Sequence, residues 1–436
     1  MKLTITPRST LSGKFSLPGD KSISHRAALF AALAEGISRF DNFLDAGVTR
    51  TMLQSLSQLG IKWSLEGTAL SVHGGGLQPW HEPTHPVNCR NSGMTIRTLT
   101  GALVATNTAA VLDGSTGLRR RPMDRIINPL LKMGAIVKAS EDGCAPLMIS
   151  KRSGESDLTG INYHLPVASA QVKTALLLAG LGAHGPTILH EPGPSRDHTE
   201  RILAKMGIKI NVQPGIVHLT PPHHPLIPLR LTIPGDFSSA AFLIVATLIT
   251  PNSNLRLQGV GLNPTRTGLL DALIAMGADI QVVSKGMRSG EPIGDLIVRS
   301  SSLTAVTITG DLVVRMIDEF PIFAVAAAHA KGLTIVQDAE ELRYKETDRI
   351  QVLVEEFSKL GLQIEAREDG FAVQGGLPYR GGNISARGDH RLGMSLTILG
   401  LGADSPVTIH EAEIIAESFP SFVELLQSAG VKIITT

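Results

Sequence analysis

Leu56-Ser57-Gln58-Leu59-Gly60 runs apolar, two variable residues, apolar, glycine, and is followed by the β-prone Ile61. Met once, such a phrase is only the end of a helix that stops at a glycine and passes into a strand. It returns at 130–134, 203–207, 273–277, 357–361 and 426–430, with successive glycines 69 to 84 residues apart. A register kept over the whole chain marks an internal repeat, here sixfold.

Each repeat carries a second, more apolar helix that opens on polar residues. These openings are Lys21 and Ser22, Asn91 and Ser92, Ser169 to Gln171, Asp236 to Ser239, Asp318 and Glu319, and Asp389 to Arg391. The helices behind them, at 175–181 or 322–330 for example, are apolar nearly all round and are expected to be buried. The amphipathic helices ending at the repeat glycines open near Arg50, Arg121, Arg196, Arg266, Lys345 to Arg349, and Glu417 with Ser418. Strands are expected between helices, as at Thr187–His190, 334–336 and Val407–His410. The pattern predicts an α/β protein of six helix-and-strand units in two groups of three. A cluster of prolines at 222, 225, 228 and 234, ending in Gly235, is the richest break in the chain. It divides a domain at 20–235, with repeats one to three, from a domain at 1–19 plus 236–436, with repeats four to six. The strand at 2–6 precedes the first repeat and is expected to complete the last.

The stretch Leu17-Pro18-Gly19-Asp20-Lys21-Ser22-Ile23-Ser24-His25-Arg26 opens the first apolar helix, with Ile23, Ala27, Phe30 and Leu33 on one face and Gly36 as its end. Lys21 and Ser22 therefore stand at a helix N-terminus. Unbonded N–H groups and the positive end of the helix dipole, joined by a Lys, a hydroxyl and an Arg one turn on, make a place for a phosphate or carboxylate. A nucleotide P-loop needs glycines where Asp20 and Phe15 stand, which excludes an ATP site of that kind.

Composition narrows the partners. The net charge of the 436-residue chain is +1, from 40 Lys and Arg against 39 Asp and Glu, so there is no global field for nucleic acid or an anionic membrane. Aromatic residues, at 4%, are too few for single-strand stacking platforms. Cys89 and Cys144 offer no metal spacing and fit a reducing compartment. The longest apolar run, 240–249, is half a membrane span. A cytoplasmic protein without metal or cofactor is expected. The charged residues at helix openings are mostly basic, which suits small substrates with several phosphate and carboxylate groups.

The residues 18–26, the Asn91-Ser92-Gly93 run ending in Arg97, Arg121-Pro122-Met123, Ser169-Ala170-Gln171, the opening at Asp318, the run 343–349 and Asp389-His390-Arg391 together resemble the 3-phosphoshikimate 1-carboxyvinyltransferase, or EPSP synthase, family. The likeness runs in order over essentially the whole chain. It implies the enolpyruvyl transferase fold, an inside-out α/β barrel-like arrangement whose two domains each hold three pseudo-repeats and close over the substrates. The implied reaction moves the enolpyruvyl group of phosphoenolpyruvate to the 5-hydroxyl of shikimate 3-phosphate and releases phosphate. Carried over by matching motif, Lys21, Ser22, Arg26, Ser169, Ala170, Gln171, Arg196 and Lys345 would hold shikimate 3-phosphate. Lys21, Gly93, Arg121, Gln171, Arg349 and Arg391 would hold phosphoenolpyruvate. Asp318 would take the 5-hydroxyl proton, and Glu346, or Lys21, would protonate the methylene carbon. A monomer is implied.

Two features separate this chain from better-known members. Glu417 stands where a phosphoenolpyruvate-binding lysine is often found, and 196–200 with 263–266 resemble the class II branch. Partial glyphosate tolerance is the expectation, although Gly93 stands where some tolerant members carry alanine. The sister transferase acting on UDP-N-acetylglucosamine usually bears a cysteine in the loop that is 114–120 here, and this loop has none. A non-catalytic sugar-phosphate-binding repeat protein is the other alternative.

Overall fold

The computed structural model describes residues 1–153 and 158–436. The repeat phrase has a single geometric meaning in all six places. Helices Gly47–Gln58, Asp124–Lys132, His198–Lys205, Gly268–Ala275, Arg349–Lys359 and Phe422–Ser428 run up to it. Gly60, Gly134, Gly207, Gly277, Gly361 and Gly430 then turn left-handed, with φ between 82° and 110°. The N–H after each glycine donates to the carbonyl of the first apolar residue of the phrase, as Ile61 to Leu56 at 3.0 Å and Val431 to Leu426 at 3.0 Å. This is the Schellman turn, whose accompanying apolar contact explains why both ends of the phrase are hydrophobic.

Among the described residues the strands form six four-stranded sheets, all of one topology. In the second repeat Val87–Asn88 pairs parallel with Ala110–Asp113, which pairs antiparallel with Leu147–Ser150, and that strand with Ile136–Lys138. The parallel pair brackets the apolar helix Gly93–Ala105, because parallel neighbours need a crossover. The chain ends exchange strands with distant repeats. Leu3–Ile5 lies between Val407–His410 and Ile433–Thr435 in the sixth sheet. Ser12–Ser16 pairs parallel with Asn254–Gly261 in the fourth. The first sheet takes its parallel edge, Arg230–Thr232 beside Glu35–Asp41, from the far end of the third repeat.

The chain divides into two compact units, Met1–Asp20 with Pro234–Thr436, and Lys21–Ile233. Each has its own core and three of the sheets. In Lys21–Ile233 the core is built on helices Lys21–Leu33, Gly93–Ala105 and Ala170–Leu181; in the other unit on Phe237–Ile249, Phe320–His329 and His390–Leu399. As expected of the more apolar helix of each repeat, Lys21–Leu33 is buried, every residue from Ser22 to Leu33 being covered. Packing is close enough that a Cβ on Gly101 would stand 2.2 Å from the Ala175 carbonyl oxygen of the adjacent helix. Among the described residues no helix is long and apolar enough to cross a membrane.

Candidate active site

In the unit Lys21–Ile233, the buried helices bring their N-termini together. Ser92 caps Gly93–Ala105 by accepting from Thr95 N–H at 3.1 Å, and Ser169 caps Ala170–Leu181 by accepting from Val172 N–H at 3.5 Å. Arg26, 2% exposed, ties three elements together. Its Nε donates to Thr199 Oγ1 at 2.8 Å, Nη1 to the Ser22 carbonyl at 3.1 Å and Nη2 to Thr174 Oγ1 at 2.9 Å. Arg97 donates to Gln171 Oε1 at 2.7 Å and to the Pro122 carbonyl at 3.2 Å. Arg196 Nη1 donates to Ser22 Oγ at 3.3 Å. A Cβ on Gly93 would come to 2.8 Å from Arg121 Nη1 and 3.1 Å from Arg97 Nη1, so Arg121 and Arg97 lie against the bare backbone of that helix start. Lys21, Ser22, Arg26, Gly93, Arg121, Ser169, Ala170, Gln171 and Arg196 thus fall in one cluster. Lys21 and Ser169 to Gln171 are half-buried.

The second unit gathers Asp318, Lys345, Glu346, Arg349 and Arg391. Arg349 is the centre. Its Nε donates to Asp389 Oδ2 at 2.7 Å, its Nη2 to Glu346 Oε2 at 2.7 Å, and its Nη1 stands 3.8 Å from Asp318 Oδ1. Arg391 Nη2 lies 3.7 Å from Asp318 Oδ2, and its Nη1 donates to Glu319 Oε1 at 3.5 Å. Asp389 caps His390–Leu399 by accepting from Arg391 N–H at 2.8 Å and Leu392 N–H at 3.3 Å. Burial alone would raise the Asp389 carboxyl, but Arg349 beside it outweighs that and holds it below the usual range. Burial likewise works against the Arg349 charge, while Asp389, Glu346 and Asp318 overcompensate and bind its proton more firmly. Lys345 is lowered, chiefly by burial and with help from Arg349, against the pull of Asp318. A half-buried lysine whose charge is weakened in this way gains from an incoming anion.

Carboxylates were expected to be few, and here the structure corrects the reading. Asp20, Asp236, Asp318, Glu319, Glu346 and Asp389 stand beside Arg266, Lys345, Arg349 and Arg391. Buried arginines need counter-charges, and apart from Glu346, three residues before Arg349, those named here come from residues far apart in sequence. The resemblance named Arg266 only as part of a class II motif. Nothing in the sequence ties its partners Asp20 and Asp236 to it. Glu417 is half-buried at the end of the short helix Ala412–Glu417.

The family model of EPSP synthase (3-phosphoshikimate 1-carboxyvinyltransferase) matches residues 5–426. A 3-phosphoshikimate 1-carboxyvinyltransferase of Petrotoga mobilis is 45% identical over 431 residues, 98% of this chain and 99% of that protein. One from a Roseiflexus species is 46% identical over 426 residues, 97% of this chain and 98% of the relative. The solved EPSP synthase of Acinetobacter baumannii superimposes with a TM-score of 0.86 at 38% identity, covering 100% of both chains. With the repeats, the sheet topology and this match over nearly its full length, the chain belongs to the EPSP synthase family.

Proposed function

We propose that this protein transfers the enolpyruvyl group of phosphoenolpyruvate to the 5-hydroxyl of shikimate 3-phosphate, releasing phosphate, in aromatic amino acid biosynthesis. The observation that carries the assignment of parts is the pairing of Asp318 with Arg349 and Arg391, a carboxylate held between two buried guanidinium groups. Shikimate 3-phosphate brings a phosphate and a carboxylate, for which Lys21, Ser22, Arg26, Ser169, Ala170, Gln171, Arg196 and Lys345 are the proposed holders. Phosphoenolpyruvate brings the same two groups, for which Lys21, Gly93, Arg121, Gln171, Arg349 and Arg391 are proposed.

Chemistry then follows from charge. Protonating the methylene carbon of phosphoenolpyruvate builds positive charge on its neighbour, which the 5-hydroxyl oxygen attacks as Asp318 takes the hydroxyl proton. The product keeps the carbon–carbon double bond, so the methyl carbon must give a proton back as phosphate departs. Glu346 is the proposed acid, with Lys21 as the rival donor. Glu346 accepts from Arg349, which aims its carboxyl.

The sister reaction on UDP-N-acetylglucosamine is disfavoured on the cysteines. The Cys89 thiol is pushed up to about 12, first by burial and then by Asp113, and burial also raises Cys144. Neither is a ready nucleophile. We place the protein in the cytoplasm as a monomer whose two domains are the two compact units. The test is phosphate release. It is expected only when phosphoenolpyruvate and shikimate 3-phosphate are both present; binding of both without release would leave a sugar-phosphate-binding protein instead.

A further inference from the structure

Arg266 has no place among the substrate holders, yet it is 1% exposed and meets two carboxylates and a hydroxyl. Its Nη1 lies 3.3 Å from Asp20 Oδ2, and its Nη2 donates to Asp236 Oδ1 at 2.5 Å and to Ser238 Oγ at 2.7 Å. Asp20 and Asp236 sit on two segments that bond to each other. Asp20 N–H donates to the Pro234 carbonyl and Asp236 N–H to the Pro18 carbonyl, both at 2.9 Å. Asp236 also caps Phe237–Ile249 by accepting from Ser238 N–H at 3.1 Å.

The chain of bonds continues inward. A serine hydroxyl has one proton and two lone pairs. Because Ser238 Oγ accepts from Arg266, its proton is left for Glu319 Oε1, to which it donates. The same Glu319 oxygen accepts from Arg391 Nη1 at 3.5 Å, and Arg391 Nη2 faces Asp318 at 3.7 Å. Glu319, 1% exposed, is thus held by one charged and one neutral donor, and buried networks of this kind fix orientation as a set.

We propose that Arg266 is a positioning residue for phosphoenolpyruvate, acting through Ser238 and Glu319 on the aim of Arg391. The role rests on the reading of Arg391 as a phosphoenolpyruvate contact. Arg266 polarises the Ser238 hydroxyl, Ser238 fixes the Glu319 carboxylate, and Glu319 holds the guanidinium that meets the substrate.

The gentlest break in the relay is Ser238→Ala, which removes one hydroxyl beyond the cap and leaves every charge in place. Steady-state kinetics on the full chain should show KM for phosphoenolpyruvate raised about three- to tenfold, with KM for shikimate 3-phosphate unchanged within about twofold. Ser238→Thr, which keeps the hydroxyl, should restore it. A double-mutant cycle supplies the decisive readout. If the relay ends on Arg391, Ser238→Ala has no further effect on KM for phosphoenolpyruvate in an Arg391→Lys background, whereas a merely structural serine weakens both backgrounds alike. Equal effects in the two backgrounds, or no effect of Ser238→Ala at all, overturn the relay and leave Arg391 in its role. An Arg391→Lys protein with unchanged KM for phosphoenolpyruvate overturns the reading of Arg391 itself and the relay with it.

Discussion

The two units answer the same problem, three buried helix N-termini at one place, in opposite ways. In Lys21–Ile233 the caps are the neutral Ser92 and Ser169, and Arg26, Arg97 and Arg196 are aimed by hydroxyls, an amide and carbonyls. In the other unit the caps are the carboxylates Asp236 and Asp389, and Arg266, Arg349 and Arg391 each meet a carboxylate. Neutral partners orient a guanidinium without cancelling its charge, and a serine cap leaves the helix dipole to act on a ligand. Carboxylate partners cancel charge and bring groups that can accept and donate protons. On the roles proposed above, the residues of Lys21–Ile233 chiefly hold anions, while the other unit adds an acid and a base to its anion-holding Lys345, Arg349 and Arg391.

That contrast can be broken at its strongest point. Asp318→Ala should lower kcat by about 10²- to 10⁴-fold, the usual worth of a positioned general base, in a steady-state phosphate-release assay. Turnover near that of the unaltered protein would remove Asp318 from the chemistry.

A second test asks whether the anchoring unit tolerates losing a buried charge of its own. Lys173, 1% exposed, lies 2.9 Å from Glu191 and 2.6 Å from Glu200, about one turn beyond Ala170. Burial pushes the Glu200 carboxyl up against the pull of Lys173. Lys173→Met strands both carboxylates and should destabilise the protein by about 3–5 kcal/mol in denaturant unfolding. A loss under about 1 kcal/mol, the scale of an exposed pair, would show that the carboxylates find other donors.

The smallest effect is expected at Gly93. An added methyl meets Arg121 Nη1 at 2.8 Å and Arg97 Nη1 at 3.1 Å, and both are the far ends of flexible side chains. Gly93→Ala should therefore leave unfolding unchanged while raising KM for phosphoenolpyruvate about tenfold, because the guanidinium groups move and the backbone does not. A destabilised protein with unchanged KM would reverse that assignment.

How much of this could be read from sequence varied with range. The six repeat glycines were legible because the Schellman turn is local: each phrase spans the turn and its apolar contact. The helix starts were legible for the same reason: Ser92, Ser169, Asp236 and Asp389 all stand among the expected polar openings, and the structure makes each a cap. The strand Arg230–Thr232 was not, since nothing near it records that Glu35–Asp41 will be its neighbour. Asp20, Asp236 and Glu319 escaped as site residues because a carboxylate acquires its meaning from the arginine it meets, and Arg266 and Arg391 lie 30 or more residues from them in sequence. Arg26 was legible as a basic residue at a helix start, but its three-way tie to Thr199, Thr174 and the Ser22 carbonyl belongs to the fold.

The division between anchoring and chemistry is tested most directly by titrating shikimate 3-phosphate into the Asp318→Ala protein in a calorimeter. The account predicts a Kd within about twofold of the unaltered protein alongside the loss of turnover, since removing a group that acts in the transition state leaves ground-state binding intact. A Kd weakened in proportion to kcat would contradict it, and would make Asp318 a binding residue.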